Sequence, residues 1–215
     1  MNSEVFEIDI IYKDSSIVVV NKPGGLLSVP GRGPDKQDCL ANRIRRLYPE
    51  CIPQPSVHRL DMDTSGLMVF ALTAEAHRNI SIQFQERSVK KQYAAVLDGV
   101  VEGERGEINL PFRLDITNRP YQVYDPVHGR HSITLWEKIM VVDNKTRILF
   151  TPITGRTHQL RLHASHPMGL GCPIKGDRLY GNGKPGDPFY LHATFLSFKH
   201  PDNNKTLSFE CPPWF

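Results

Sequence analysis

The sequence lacks long apolar runs, paired cysteines and low-complexity segments. No hydrophobic stretch approaches the roughly 18 residues of a membrane-spanning helix, and the acidic start of the chain carries no signal-peptide pattern. The four cysteines lie far apart and form no CxxC pair: Cys39, Cys51, Cys172 and Cys211. That spacing argues against a structural zinc site and against a disulfide framework. These absences predict a globular protein that works in a reducing cytoplasm, away from membranes.

The charge balance permits a nucleic-acid partner but does not demand one. The 215 residues carry a formal net charge of +3, and the pI of about 8.7 is mildly basic. Two short segments concentrate positive charge: Arg43, Arg45 and Arg46 in one, and Arg87, Lys90 and Lys91 in the other. Each cluster is either a solvated helix face or a set of phosphate contacts, and the sequence leaves both interpretations open.

Strand-like patterns dominate the chain, and few helical patterns interrupt them. Strands are expected at residues 6–12, 17–20, 67–72, 91–101, 133–139, 146–151, 191–199 and 206–210. Helical spacing is present at 39–48 and 74–87, and a further helix is expected to open near Gly155. Residues 111–130 and 164–188 are rich in turn formers and predict long loops. The sequence therefore predicts one domain over residues 1–215, with an α+β fold in which a mixed, largely antiparallel β-sheet has flanking helices and long loops.

The segment 58–66, His-Arg-Leu-Asp-Met-Asp-Thr-Ser-Gly, joins a polar loop to an apolar, strand-like run. A carboxylate at such a junction is held by rigid backbone and still points into a cleft. Asp61 and Asp63 are two residues apart, so they share one face of extended backbone. Paired carboxylates cleave glycosidic bonds, which opens a sugar or nucleoside hydrolase as one function. Neighbours on one loop rarely face each other across a sugar, and this favours a turn-forming role for Asp63.

Two further segments combine cationic, aromatic and turn-forming residues. In 154–163, Thr-Gly-Arg-Thr-His-Gln-Leu-Arg-Leu-His, a glycine breaks the preceding strand, and the N–H groups after it can face an anion. From the helical spacing alone, Arg161 is expected to be an exposed arginine of the helix. The histidines at 158, 163 and 166 suggest a metal, but no HExxH pattern and no cluster of acidic ligands accompanies them. In 90–97, Tyr93 opens a strand directly after a lysine pair, where a half-buried structural tyrosine is also common.

These segments resemble motifs of the RluA family of pseudouridine synthases: HRLDxxTSG at 58–66, TGRxHQLRxH at 154–163, KxY at 91–93 and NKPGG at 21–25. The resemblance implies the pseudouridine synthase fold without an S4-like RNA-binding domain. It also implies that Asp61 is catalytic, that Arg161 pairs with Asp61, and that Tyr93 stacks on the target uracil. A further set of residues is expected to contact the substrate: His58, Arg59, Arg156, Leu160, Lys90 and Lys91. The spacing departs from the family around 163–173, where Cys172 stands in place of a histidine.

The resemblance implies an isomerase that acts on a uridine of structured RNA, in a 23S rRNA hairpin, a tRNA anticodon stem-loop or both. Such an enzyme cleaves the N1–C1′ bond, rotates the uracil and rejoins it through C5. The reaction releases no group from the RNA, so no cofactor and no metal is expected. A monomer without a protein partner is sufficient. Asp61 either attacks the nucleoside or removes a sugar proton, and the sequence leaves both steps open. The alternatives are the hydrolase and a catalytically inactive RNA-binding module.

Overall fold

Strands outnumber helices in the part of the chain that the computed structural model describes, residues 8–215. The strands are β1 (Asp9–Lys13), β2 (Ile17–Lys22), β3 (Ser65–Ala71), β4 (Lys90–Asp98), β5 (Arg105–Leu114), β6 (Gln122–Tyr124), β7 (Arg130–Val142), β8 (Lys145–Pro152), β9 (Leu191–Lys199) and β10 (Thr206–Glu210). The helices are α1 (Leu40–Leu47), α2 (Ala74–Gln85) and α3 (Gln159–Ser165). Among these residues, no helix has the length and apolar content needed to cross a bilayer. The chain forms two units: unit 1 is the chain up to Lys90 with Phe195–Pro212, and unit 2 is Lys91–Thr194 with Pro213–Phe215.

In unit 1 the strands follow the order β1-β2-β3-β9, and β10 pairs with β9. The pairings β1–β2, β2–β3 and β9–β10 are antiparallel. Every residue of β3 is buried, because its apolar run is covered on both faces, and Val69 lies opposite Val19 of β2. Helix α2 packs into the same core through Ala76 and Ile80. Its start is fixed by Thr73, whose hydroxyl accepts a hydrogen bond from the Ala76 N–H at 3.2 Å.

In unit 2 the strand order is β9-β4-β8-β7-β5-β6, and the pairings β4–β8, β7–β8, β5–β7 and β5–β6 are antiparallel. Strands β7 and β8 form a hairpin whose turn residues, Asp143 and Asn144, have φ of 50° and 55°, as a tight hairpin turn requires. Ile148 and Phe150 of β8 share a buried core with Leu160 of α3. This packing holds α3, which carries the second half of the TGRxHQLRxH motif, against the strands of unit 2.

The structure confirms the predicted α+β class and its largely antiparallel strands. The strands expected at 17–20, 67–72, 133–139, 146–151, 191–199 and 206–210, and the helices expected at 39–48 and 74–87, are present with slightly shifted ends. The strand expected at 6–12 begins as β1 at Asp9, and residues 6 and 7 lie outside the described residues. That residues 1–215 act as one catalytic domain stays a prediction.

The prediction that residues 111–130 form one irregular loop is wrong. Strand β5 continues to Leu114, and β6 covers Gln122–Tyr124. The chain reverses between them because the Asp115 carboxylate accepts hydrogen bonds from the N–H groups two and three residues further on, at 3.0 and 3.2 Å. The returning strand is held by the Gln122 N–H, which donates to the Tyr180 hydroxyl at 2.8 Å.

The third helix also departs from its predicted start, because it begins at Gln159 and not near Gly155. The side-chain oxygen of Gln159 accepts from the Thr154 hydroxyl at 2.7 Å and from the Arg156 N–H at 3.0 Å. These bonds hold residues 154–158 in a tight turn ahead of the helix. The Arg156 N–H, one of those expected to face an anion, is therefore engaged within the chain.

Candidate active site

Asp61 lies in the short loop that leads into β3, and it is partly buried between the buried residues Leu60 and Thr64. The Ser28 hydroxyl donates to the Leu60 carbonyl at 2.7 Å and accepts from the Leu60 N–H at 3.1 Å. On the other side, the Thr64 N–H donates to the Asp61 carbonyl at 3.2 Å. Backbone contacts on both sides of the carboxylate therefore give Asp61 a defined orientation.

A buried lysine at the end of β2 supports the same loop. Lys22 is 0% exposed, and its ammonium donates to three backbone carbonyl oxygens at 2.9, 2.7 and 2.8 Å, the last of them that of Met62. Three acceptors match the three N–H groups of an ammonium. Because Met62 stands between Asp61 and Asp63, Lys22 ties the turn of the NKPGG motif to the loop of the two aspartates.

Burial lowers the pKa of Lys22 to about 7, although the charges of Asp63 and Asp61 act in the opposite direction. The pKa of a lysine in an unfolded chain is about 10.4. Between about pH 7 and about pH 10 the unfolded chain therefore binds more protons at this residue, and its contribution to stability rises with pH. We expect the unfolding free energy of the wild type, minus that of Lys22→Met, to increase as the pH is raised through this window. Urea denaturation of both proteins at several pH values measures this difference.

The matched control for this measurement is Lys205→Met, which changes an exposed lysine of unit 1. Its unfolding free energy should run parallel to that of the wild type over the same pH range. A constant difference between the wild type and Lys22→Met would mean that Lys22 does not change its protonation on folding.

His58 and Arg59, both expected to contact substrate, have different surroundings. The His58 Nε2 accepts from the Val69 N–H of β3 at 3.1 Å, and the His58 ring stacks on Phe84 of α2 with centroids 4.6 Å apart. His58 therefore braces the loop against β3 and α2. Arg59 is exposed two residues before Asp61. Contacts of these two side chains with a substrate stay predictions.

In unit 2, Arg161 of α3 forms a buried ion pair that sequence reasoning missed. Its Nε and Nη2 donate to the two carboxylate oxygens of Asp177 at 2.8 and 2.6 Å, and the two side chains are 6% and 0% exposed. Arg161 is therefore not the exposed helix arginine that the helical spacing predicts. Asp61 belongs to unit 1, and the pairing of Arg161 with Asp61 stays a prediction. Asp177 lies in the segment 176–180, Gly-Asp-Arg-Leu-Tyr, which resembles a further motif of the same family.

The Asp177 carboxylate opens a tight turn and remains ionised. Its Oδ1 also accepts from the N–H groups of Leu179 and Tyr180 at 2.8 and 3.0 Å. Burial on its own raises the pKa of this carboxyl, but the hydrogen bonds and charge of Arg161, together with the two N–H groups, outweigh burial. The pKa of Asp177 therefore lies below its ordinary value, and the pair carries a full positive and a full negative charge at neutral pH.

The three histidines that suggested a metal have separate partners. His158 Nδ1 lies 2.8 Å from the Tyr180 hydroxyl, His163 Nε2 lies 3.0 Å from the Ser132 hydroxyl, and His166 Nδ1 accepts from the Met168 N–H at 3.1 Å. Burial, with a smaller effect from the charge of His166, lowers the pKa of His163 to about 4. Within residues 8–215, no group of three or more His, Cys, Asp or Glu side chains is placed to hold a metal ion.

Tyr93 lies on β4, where it pairs with β8 and packs, partly buried, against the core of unit 2. The neighbouring Lys91 ammonium lies 3.5 Å from the Pro152 carbonyl, so the KxY motif and the end of β8 meet in this unit. Leu160 belongs to the same buried core. Two other residues expected to bind substrate are exposed: Lys90 and Arg156.

A family model described as RNA pseudouridylate synthase covers residues 16–166, a range that includes Asp61, Tyr93 and Arg161. The chain belongs to the RNA pseudouridylate synthase family. This confirms the resemblance that the motifs indicated.

Named relatives and solved structures cover nearly the whole chain. The dual-specificity RNA pseudouridine synthase RluA of Pasteurella multocida (strain Pm70) is 45% identical over 212 residues, or 97% of this chain and 94% of the relative. The protein of the same name from Escherichia coli (strain K12) is 43% identical over 210 residues, or 96% of this chain and 93% of the relative. The structure of human RNA Pseudouridylate Synthase Domain Containing 1 superposes with a TM-score of 0.78 at 28% identity, over 99% of this chain and 86% of the human one. The predicted pseudouridine synthase fold and isomerase class are therefore confirmed.

Proposed function

We propose that this protein converts particular uridines to pseudouridine in a 23S rRNA hairpin, in a tRNA anticodon stem-loop or in both. The observation that carries the proposal is the anchored loop of Asp61, which Ser28 and the buried Lys22 hold through its backbone. Chemistry at a sugar carbon needs a reactive group in a fixed position. The relatives of Pasteurella multocida and Escherichia coli are named dual-specificity RNA pseudouridine synthases, which supports more than one RNA substrate. We propose further that the protein acts as a monomer in the cytoplasm.

In this proposal Asp61 is the catalytic group. The N1–C1′ bond breaks and a C5–C1′ bond forms, so that substrate and product are isomers. Asp61 either attacks the nucleoside or removes a sugar proton, and both steps need an ionised carboxylate. The resemblance assigns Arg161 to keep it ionised.

The target uridine must leave its stack before it reacts, which costs a few kcal/mol. We propose that Tyr93 offsets this cost by stacking on the uracil, an interaction of about 1–3 kcal/mol per base. Arg59 is exposed and close in sequence to Asp61. We propose that it contacts the flipped nucleotide or fills the space that the nucleotide leaves.

Mapping of pseudouridine in rRNA and tRNA, from cells with and without this protein, tests the proposed function. Purified protein incubated with unmodified RNA should then produce pseudouridine at the same uridines. Release of free uracil would identify the hydrolase instead, since isomerisation releases neither base nor sugar. Tight binding with neither product would identify an RNA-binding module.

Replacing Lys90 and Lys91 together by glutamine is expected to weaken RNA binding and to reduce its dependence on salt. Each phosphate contact contributes about 0.7–0.9 to the slope of log affinity against log salt, so the slope should fall by between about one and two. Turnover of bound RNA should change little, because phosphate contacts position the substrate without taking part in the reaction. Fluorescence anisotropy with a labelled hairpin, over a series of salt concentrations, measures both quantities.

Two other variants complete this experiment. The same exchange at Lys199 and Lys205, which are exposed in unit 1, is the matched control and should leave the slope unchanged. Tyr93→Ala should lower turnover by about 10- to 100-fold, the equivalent of lost base stacking, and should preserve the salt slope. If the lysine pair alters neither affinity nor slope, RNA binds to another surface.

A further inference from the structure

We propose that Asp177 is a positioning residue for the reaction, because it sets the orientation of the Arg161 guanidinium. This inference rests on the proposed function, since it requires that Arg161 acts in the isomerisation. Its basis is the two-point contact in unit 2, in which both carboxylate oxygens of Asp177 accept from Arg161, at 2.8 Å from Nε and 2.6 Å from Nη2. A planar fork bound at two points cannot rotate without breaking both bonds.

Aromatic rings restrict the guanidinium as well. Its central carbon lies 5.3 Å from the ring centroid of Tyr180 and 5.2 Å from that of Phe189, within the range of cation–π attraction. With 6% of the Arg161 side chain exposed, its torsions are fixed by packing. An arginine loses side-chain conformational entropy when it is ordered. Here that entropy is lost when the protein folds, so substrate binding does not have to order this side chain.

The contact also determines which donors Arg161 presents. A guanidinium has five N–H groups, and Asp177 takes two of them on the edge formed by Nε and Nη2. The other three lie on Nη1 and on the far side of Nη2. Because the carboxylate balances the positive charge, Arg161 acts on another anion through directed hydrogen bonds more than through net charge. Its orientation therefore matters to its function.

Asp177 is itself held rigidly. Its Oδ1 accepts from the two N–H groups of the turn that follows. The preceding residue, Gly176, has a φ of 80°, and a Cβ at this position would collide with the Pro188 carbonyl oxygen. The backbone here therefore requires glycine. The turn directs one carboxylate at one guanidinium, which is the arrangement expected of a positioning residue.

Asp177→Asn is the variant that tests this proposal. The amide keeps the size of the carboxylate and one oxygen for the turn, but it removes the charge and replaces one acceptor by a donor. Turnover of bound RNA hairpin, measured in single-turnover assays, should fall by on the order of 10²-fold, with unchanged RNA affinity. Asp125→Asn is the matched control, since Asp125 also pairs with an arginine, Arg113, and also accepts from two turn N–H groups. Its turnover should equal that of the wild type.

A double-mutant cycle separates positioning from a structural role. On the Arg161→Lys background, Asp177→Asn should lower turnover far less than it does alone, because the fork that it orients is already absent. An equal loss on both backgrounds would overturn the proposal, and so would wild-type turnover in Asp177→Asn. A wild-type protein that forms no pseudouridine would instead contradict the proposed function.

Side-chain ¹⁵N NMR of Arg161 tests the orientation without relying on activity. The wild type should show separate, slowly exchanging signals for the guanidinium nitrogens, and these signals should merge in Asp177→Asn. The measurement on the wild type decides the question even if the variant does not fold. Rapid rotation of the wild-type guanidinium would show that Asp177 does not fix it.

Discussion

Asp61→Asn is expected to lower the rate of pseudouridine formation by about 10³-fold or more, the loss typical of an enzyme deprived of its central acid–base or nucleophilic group. Asparagine has nearly the shape of aspartate. The contacts of Ser28 and Lys22 involve the backbone of the loop and should persist. RNA affinity and unfolding free energy should therefore stay close to wild type. Single-turnover conversion of a labelled hairpin, with parallel binding and urea denaturation, measures all three.

Asp63→Asn is the matched control for Asp61. Asp63 lies on the same loop and, like Asp61, acts on the charge of Lys22, but its assigned role is to form the turn. Its substitution should slow conversion by less than about tenfold, or about 1.4 kcal/mol. Substantial residual activity in Asp61→Asn, together with a severe loss in Asp63→Asn, would transfer the catalytic role to Asp63.

Arg161→Met is expected to cost about 3–5 kcal/mol of unfolding free energy at neutral pH, the usual result of removing one partner of a buried ion pair. Methionine replaces much of the arginine stem, so most of the loss comes from the unpaired charge of Asp177, which is 0% exposed. Adding Asp177→Asn to Arg161→Met should recover most of the loss, because no buried charge remains. Urea denaturation of the wild type, of Arg161→Met and of the double variant gives the comparison.

The effect of pH on this loss has a definite sign. In the wild type the pKa of Asp177 lies below its ordinary value, so its contribution is complete above about pH 4 and is lost as the pH falls through the folded pKa. In Arg161→Met, burial remains and raises the pKa of Asp177, so that mild acid neutralises the unpaired charge. The difference between wild type and variant should therefore narrow as the pH falls from about 7 to about 4. A difference that stays constant would show that Asp177 remains ionised in the variant down to about pH 4.

The sequence was sufficient where structure depends on neighbouring residues. Helix α2 could be predicted because the Thr73 side chain and the adjacent backbone set its start. The place of Asp61 ahead of a buried strand could also be predicted, since a polar loop meets an apolar run there. Both features depend on residues within one short window of sequence.

The sequence was insufficient where the deciding contact is distant along the chain. A lysine is ordinarily exposed, and the burial of Lys22 depends on a carbonyl oxygen 40 residues away. Strand β6 was missed because Gln122 is held by Tyr180, 58 residues further on. The partner of Arg161 was missed for the same reason, because no periodicity links the two segments that form the pair.

The Tyr180 hydroxyl joins two segments of unit 2 through one oxygen atom. The Gln122 N–H can only donate, so the hydroxyl oxygen accepts from it. The same oxygen lies 2.8 Å from Nδ1 of His158, and its proton and second lone pair allow a hydrogen bond with either neutral tautomer of the histidine. One tyrosine oxygen therefore ties β6 to a histidine inside the TGRxHQLRxH motif.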